Sequence, residues 1–213
     1  SDYVHPLKKG GRIEAGIKSS FVKNDNLVNY ERWDNSKWIA DGRSNHFIYE
    51  ENINAIYLNA NKQIKKWSFQ GGLRLENTMA RGYQVTNDST FTRNFTNLFP
   101  SAFISYAVDK SNQVTVSYSR RITRPNYQDL NPFIYFLDSL SYRKGNPFLL
   151  PQFTHNIELS HSFKGKLITT LNYNSTTNVI SQLVKPDGDL LYLTSDNVAK
   201  FRNIGIAITA PIP

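Results

Sequence analysis

The chain has 213 residues and no cysteine, so no disulfide can brace its fold. That absence suits an exported protein and a cytosolic one alike. No stretch approaches the roughly 18 uninterrupted apolar residues of a membrane-spanning helix, and the mean hydropathy is −0.47. A helical membrane protein is thereby excluded, whereas a β-barrel is not, because only alternate residues of its strands meet lipid. Residues 1–10 lack the hydrophobic core of a signal peptide, which leads us to expect a mature chain or an excised piece. The Gly-x-Ser-x-Gly elbow of hydrolases is missing as well. Among the histidines His5, His46, His155 and His161, the pair His155 and His161 would sit on one strand roughly 20 Å apart, too far to share an ion. Glu50 and Glu51 are adjacent, so on a strand they point to opposite sides and cannot act as a pair. The expectation is therefore no catalytic residue, no metal, no cofactor and no enzyme.

What is present suits strands with one greasy and one wet face. Aromatics make up 13% of the residues, with 12 Tyr and 13 Phe, and Asn, Ser and Thr abound. The net charge of +8 could suggest a nucleic-acid partner. The positive residues are scattered, however, in Lys8-Lys9, Lys65-Lys66, Arg120-Arg121 with Arg124, and Arg143-Lys144, all in expected turns or loops. They read as solvated ends that meet lipid phosphates, and no nucleic acid is expected.

The spacing of apolar residues carries the fold. In 67–79, Trp67, Phe69, Gly71, Leu73 and Leu75 share one face, and Ser68, Gln70, Gly72, Arg74 and Glu76 share the other. A helix would scatter these residues around its axis, and the glycine pair would weaken it further. No helix follows Gly71-Gly72, which makes it a close approach or a curvature site in a strand instead of a phosphate cradle. The same two-residue period recurs over 11–22, 113–122, 152–163 and 166–175, and more weakly over 46–59, 98–108 and 202–212. These make about eight strands, each near the ~9 to 11 residues that a tilted strand needs to cross a bilayer. The polar rows include Arg12, Glu14, Lys18, Gln70, Arg74, Glu76, Asn156 and Glu158, which in a barrel would face the lumen and bond water or a plug.

Connections alternate in length. Short turns fall at 61–66, 109–112 and 164–166, and another at 5–10 places the end of an earlier strand at 2–4. Long polar loops are expected over 24–45, 80–97, 123–151 and 181–202. Outer-membrane barrels have this asymmetry, with short periplasmic turns and longer extracellular loops. Tyr57, Trp67, Phe69, Tyr106 and Phe163 lie near the short turns, as interfacial aromatics do, although cross-strand packing in any β protein would also place them there.

The segment from Ser117, SYSRRITRPNYQDLNPF, followed by GNPFLLPQFTHNIELSHSF, resembles the outer-membrane β-barrels of TonB-dependent receptors, particularly the branch common in Bacteroidetes. Arg121, Arg124-Pro125 and the run Leu130-Asn131-Pro132-Phe133 meet the family pattern, as do Gly145-Asn146-Pro147, Leu149 and Pro151. YEENINAIYLNANKQIKKWSFQGGLRLENT, NLFPSAFISY and DYVHPL are similar too, so the likeness covers nearly the whole chain. It implies a barrel of about 22 strands around a separate plug domain, with uptake driven by an inner-membrane energy-coupling complex. Residues 1–213 would be a partial barrel domain without its plug, held by outer-membrane lipid and lipopolysaccharide and completed by the remaining strands. The fold class expected is thus all-β, an antiparallel up-and-down transmembrane barrel of which this chain supplies about eight strands.

Each Pro in the 123–151 loop fixes φ, Asn before Pro favours turn initiation, and Gly145 would permit a positive φ. An ordered loop follows, either a wall of the ligand vestibule or a latch over the rim. Arg121, Arg124, Asn131, Arg143 and Asn146 are the candidate ligand-binding residues. The function implied is nutrient import, of a metal chelate or an oligosaccharide, captured by extracellular loops. The alternatives are a self-closing small outer-membrane barrel with a structural or adhesive role, and a soluble all-β binding module.

Overall fold

The structure is a computed structural model that describes residues 2–7 and 10–211. Its strands are β1 (Asp2–Leu7), β2 (Gly11–Val28), β3 (Glu31–Asp34), β4 (Lys37–Ala40), β5 (Asn45–Ile64), β6 (Trp67–Gln84), β7 (Ser89–Ala107), β8 (Asn112–Thr123), β9 (Ile134–Phe136), β10 (Ser141–Lys144), β11 (Gln152–Phe163), β12 (Leu167–Asp187) and β13 (Leu190–Thr209). One helical turn, α1 (Tyr127–Leu130), lies in the loop before β9. Eleven strands form one sheet in the order β1-β2-β5-β6-β7-β8-β11-β12-β13-β10-β9, and β3 pairs with β4 alone. From β1 to β13 neighbouring strands of the sheet run antiparallel. The sheet does not close on itself among the described residues, since β1 and β9 stand at its ends.

Register sorts the two faces. Phe69, Ile104, Val116, Leu159, Leu171 and Ile206 form one continuous cross-strand row over β6, β7, β8, β11, β12 and β13. All of them are exposed, with Ile206 at 72%. On the opposite face a parallel row runs Asn59, Gly72, Ser101, Ser119, Asn156, Asn174 and Asn203. A water-soluble sheet would cover its isoleucines and leucines with a second layer. No second layer covers that row among the described residues, so hydrocarbon is the solvent that suits it. A concavity of about 600 Å³ on the apolar side is lined by Ile17, Ile56, Leu58, Leu73 and Leu75 and would hold acyl chains.

The upper limit of the apolar band is legible in two successive rows. Ile17, Ile56, Leu75 and Leu98 pair across β2, β5, β6 and β7, and two residues further along each strand stand Ser19, Asn54, Asn77 and Thr96. That second row satisfies itself: Ser19 donates to Asn54 Oδ1 at 2.7 Å and Asn77 donates to Thr96 Oγ1 at 3.0 Å. Four residues beyond it comes the charged row Lys23, Glu50, Arg81. Below, Trp67 packs against Tyr106 at 4.5 Å and Phe69 at 5.9 Å beside the short turns, as interfacial aromatics should. Tyr57 is different, because its register with Arg74 puts it on the polar face.

Strands of 18 to 21 residues exceed what a bilayer needs. Two of the expected long loops are this surplus. Residues 80–97 continue as β6 and β7, joined by a 3₁₀ turn over Val85–Asn87, and 181–202 continue as β12 and β13. The backbone ladder persists there with one face covered in part by the 124–151 loop and polar residues mixed into both faces, and the two-residue apolar signal therefore fades while the strand does not. Loop 24–45 is likewise partly strand, with β2 running to Val28 and the β3–β4 hairpin beyond it. The expected early strand is longer than 2–4, reaching Leu7, and the turn residues Lys8 and Lys9 lie outside the described residues. Residue 212, the end of the expected 202–212 strand, lies outside them too.

With no native cysteine, single-cysteine labelling tests this topography. Arg81→Cys in membrane vesicles should react with a membrane-impermeant maleimide, and Leu73→Cys should stay protected until detergent is added. Equal reactivity would rule out the lipid-facing assignment.

Candidate functional site

Among the described residues the 124–151 loop leaves the ladder for the longest distance, and it folds back over the polar face. Leu130, Phe133 and Leu149 of this strap pack with Phe47 and Tyr49 of β5 and Ala80 of β6 in the one buried apolar cluster among the described residues. Tyr127 stacks on Phe47 at 5.9 Å. Both Asn-Pro pairs make the turns that their chemistry favours. Asn131 Oδ1 accepts from the Phe133 amide at 3.2 Å, and Asn146 Oδ1 accepts from the Phe148 amide at 2.9 Å. Asn126 caps α1, its Oδ1 accepting from the Asp129 amide at 2.9 Å.

Polar contacts then fix the strap to both sides of the sheet. On the β7 side, Arg93 donates to the carbonyls of Leu149 and, at 2.7 Å, Pro147. On the β13 side, Asn197 holds the Leu150 backbone through both amide atoms, accepting at 2.7 Å and donating at 3.0 Å. Asn197 also donates to Asn178 O at 2.8 Å, where a register shift and a left-handed Asn178 (φ 55) mark a bulge in β12. Ser195 donates to Asp129 at 2.9 Å. The hairpin β9–β10 completes the crossing, for β10 runs parallel to β13 with Ser141, Tyr142 and Arg143 opposite Leu191, Tyr192 and Leu193. Ser195 and Asn197 were missed by sequence reasoning, since nothing in a polar strand marks a bulge.

Arg124, at the foot of the strap, enters a nearly closed polar site. Its guanidinium pairs with Glu76, donates to Thr78 Oγ1 at 3.1 Å and approaches Glu51 at 3.9 Å. Arg74 reaches the same Glu76 at 3.4 Å. Glu76 and Thr78 are buried, so removal of the arginine would strand a carboxylate away from water.

Of the five candidate residues, four thus converge on the strap. Arg124 closes this ion pair, Asn131 and Asn146 shape the turns, and Arg143 lies 3.5 Å from Asp129. Asn146 also donates to Ser195 O at 3.2 Å. Arg121 is exposed on the polar face and makes no hydrogen bond or ion pair among the described residues. Gly145 corrects one expectation, for it lies outside the left-handed region that Gly10, Gly165 and Gly188 adopt. Its requirement is steric, because a Cβ there would overlap the Asn131 backbone. Further out, Arg43 grips both oxygens of Asp41 and, chiefly through those side-chain hydrogen bonds, pulls its carboxyl from the usual 3.8 to about 2.

A family model described as outer membrane protein beta-barrel family matches residues 1–213. The chain belongs to this family. Its place is the outer membrane. No curated protein sequence matches the chain. Solved structures share its fold. The hemophore receptor HasR of Serratia marcescens is 12% identical with a TM-score of 0.60, over 93% of this chain and 39% of that one. The copper transporter OprC is 12% identical with a TM-score of 0.65, over 93% and 33%. The ferric-catecholate import receptor Fiu of E. coli K12 is 16% identical with a TM-score of 0.61, over 100% and 34%. This family member therefore spans 33% to 39% of the length of those three.

Leu149→Ala should cost about 2–5 kcal/mol by emptying the centre of the cluster, and should open 124–151 to protease while the ladder stays intact. Arg124→Ala should cost about 3–5 kcal/mol, and adding Glu76→Gln should recover part of that loss in urea unfolding. Additive losses from the two changes would contradict the buried pair.

Proposed function

We propose that this chain is a partial barrel domain of a TonB-dependent receptor for nutrient uptake, of the branch common in Bacteroidetes, and that it carries out no bond chemistry. The observation that supports this best is the strap. A loop pinned at β5–β7 and again at β13 spans the polar face, and in a barrel that face lines the lumen. Such a strap narrows the mouth and presents its outer surface to arriving cargo. A barrel wider than this open sheet would need further strands and a plug domain inside it, and work by an energy-coupling complex to move the plug. Outer-membrane lipid and lipopolysaccharide would cover the apolar face.

The cargo proposed is a metal chelate or an oligosaccharide. The structural likenesses to a hemophore receptor, a copper transporter and a ferric-catecholate import receptor lean toward the metal chelate. Arg121, Arg124, Asn131, Arg143 and Asn146 serve capture in two ways in this reading. Arg121 offers a free guanidinium, and the other four hold the strap in the shape that the cargo meets.

Growth tests this reading. Cells that depend on the intact receptor should take up one member of a panel of haem, ferric citrate, a ferric catecholate, cupric ion and oligosaccharides. Replacing 124–151 with a short glycine-serine turn should cut that uptake at least tenfold with the barrel still in the membrane. Uptake unaltered by loss of the receptor, for every member, would refute the proposal.

A further inference from the structure

Between the strap and the short turns gather three arginines that the strap does not employ: Arg74 and Arg121 stand on the polar face by register, and Arg120, of the opposite parity on β8, turns its guanidinium into the gap between β7 and β8 to reach Leu98 O and the Phe99 ring. The guanidinium groups of Arg74 and Arg120 both lie over the Phe99 ring, at 4.9 and 5.7 Å, and Arg120 also covers Phe153 at 4.6 Å. Arg121 follows on β8, two residues from Ser119 and with the same parity. Together with Asn59, Ser101 and Ser119 they line a concavity of about 530 Å³.

The charges there are poorly balanced. Glu76 is the one carboxylate that touches any of the three among the described residues, and Arg74 shares it with Arg124. Arg120 donates one N–H to Leu98 O at 2.8 Å, yet its Nε is buried without an acceptor among the described residues. Arg121 has no partner at all among them. Guanidinium groups crowded on one aromatic ring repel each other and retain unused donors. A planar or tetrahedral oxyanion answers both deficits, by charge and by accepting paired hydrogen bonds.

We propose that Arg74, Arg120 and Arg121 form an oxyanion-binding subsite on the lumen wall, one that takes a carboxylate or phosphate group. It rests on the receptor reading only in that this face must line the lumen. Two sources carry that chemistry: an anionic group of the imported molecule, and a carboxylate side chain of the plug domain.

The test is calorimetric titration of the purified intact receptor, and of the same receptor without its plug, with citrate and with inorganic phosphate at low ionic strength. A cargo subsite predicts binding by the intact receptor that weakens at least tenfold in Arg121→Gln and stays within twofold in Arg81→Gln on the other face. A subsite filled by the plug predicts the same dependence on Arg121 only after the plug is removed. No binding in either form, or binding indifferent to Arg121→Gln, would overturn the proposal. Arg121 is exposed and unpaired, so its loss should leave the barrel folded, and heat-modifiable migration on a detergent gel checks this. Uptake is measured separately: probe binding with no uptake of any cargo would strike the receptor reading and spare the subsite.

Discussion

Inside hydrocarbon no water is available to a backbone N–H or C=O, and each unsatisfied group costs several kcal/mol. The rest of this molecule depends on that constraint. It forces the chain into a ladder in which neighbouring strands satisfy each other over most of the crossing. It also makes the side-chain pattern strictly binary, since a one-residue slip would turn Ile204, Ile206 and Ile208 toward the polar face. The match of apolar to apolar and polar to polar across strand after strand from β5 to β13 is the imprint of this demand.

At one seam the ladder lapses before the apolar rows end, and other donors take its place. β7 and β8 part company above Ser101 and Ser119, although β7 stays paired with β6 to its start and β8 stays paired with β11 to Thr123. Side chains from both strands answer the gap. Arg120 supplies a donor to the carbonyl of Leu98, and Arg93 grips two strap carbonyls. Arginine suits both places because its rigid fork of donors meets several acceptors while the stem packs on aromatic rings. On the far side β10 covers residues 191–193 of β13, so the upper edge of that strand is occupied from within the chain.

The strap needs both kinds of anchor. Apolar burial against Phe47 and Tyr49 supplies attraction without direction, whereas Asn197, Ser195 and Arg93 fix where its backbone lies. Gly145 allows that backbone to double back against Asn131. A loop restrained this way holds one shape over the polar face, so no ordering cost would fall on a binding event there.

Local spacing was enough for the membrane-crossing sheet: alternate residues such as Trp67, Phe69, Leu73 and Leu75 suit a strand with two unlike faces, and the expected strands are all present. The sequence also marked the 123–151 loop as ordered, through its Asn-Pro pairs. Where strands end and what the loop touches emerged from the folded chain alone. Hairpins beyond the lipid mix polar residues into both faces, so 80–97 read as loop although their backbone stays paired. The partners Arg124 with Glu76, and Asn197 with Leu150, are 48 and 47 residues apart in the chain. Contacts at that separation depend on the order and twist of the strands between them, to which local spacing is blind.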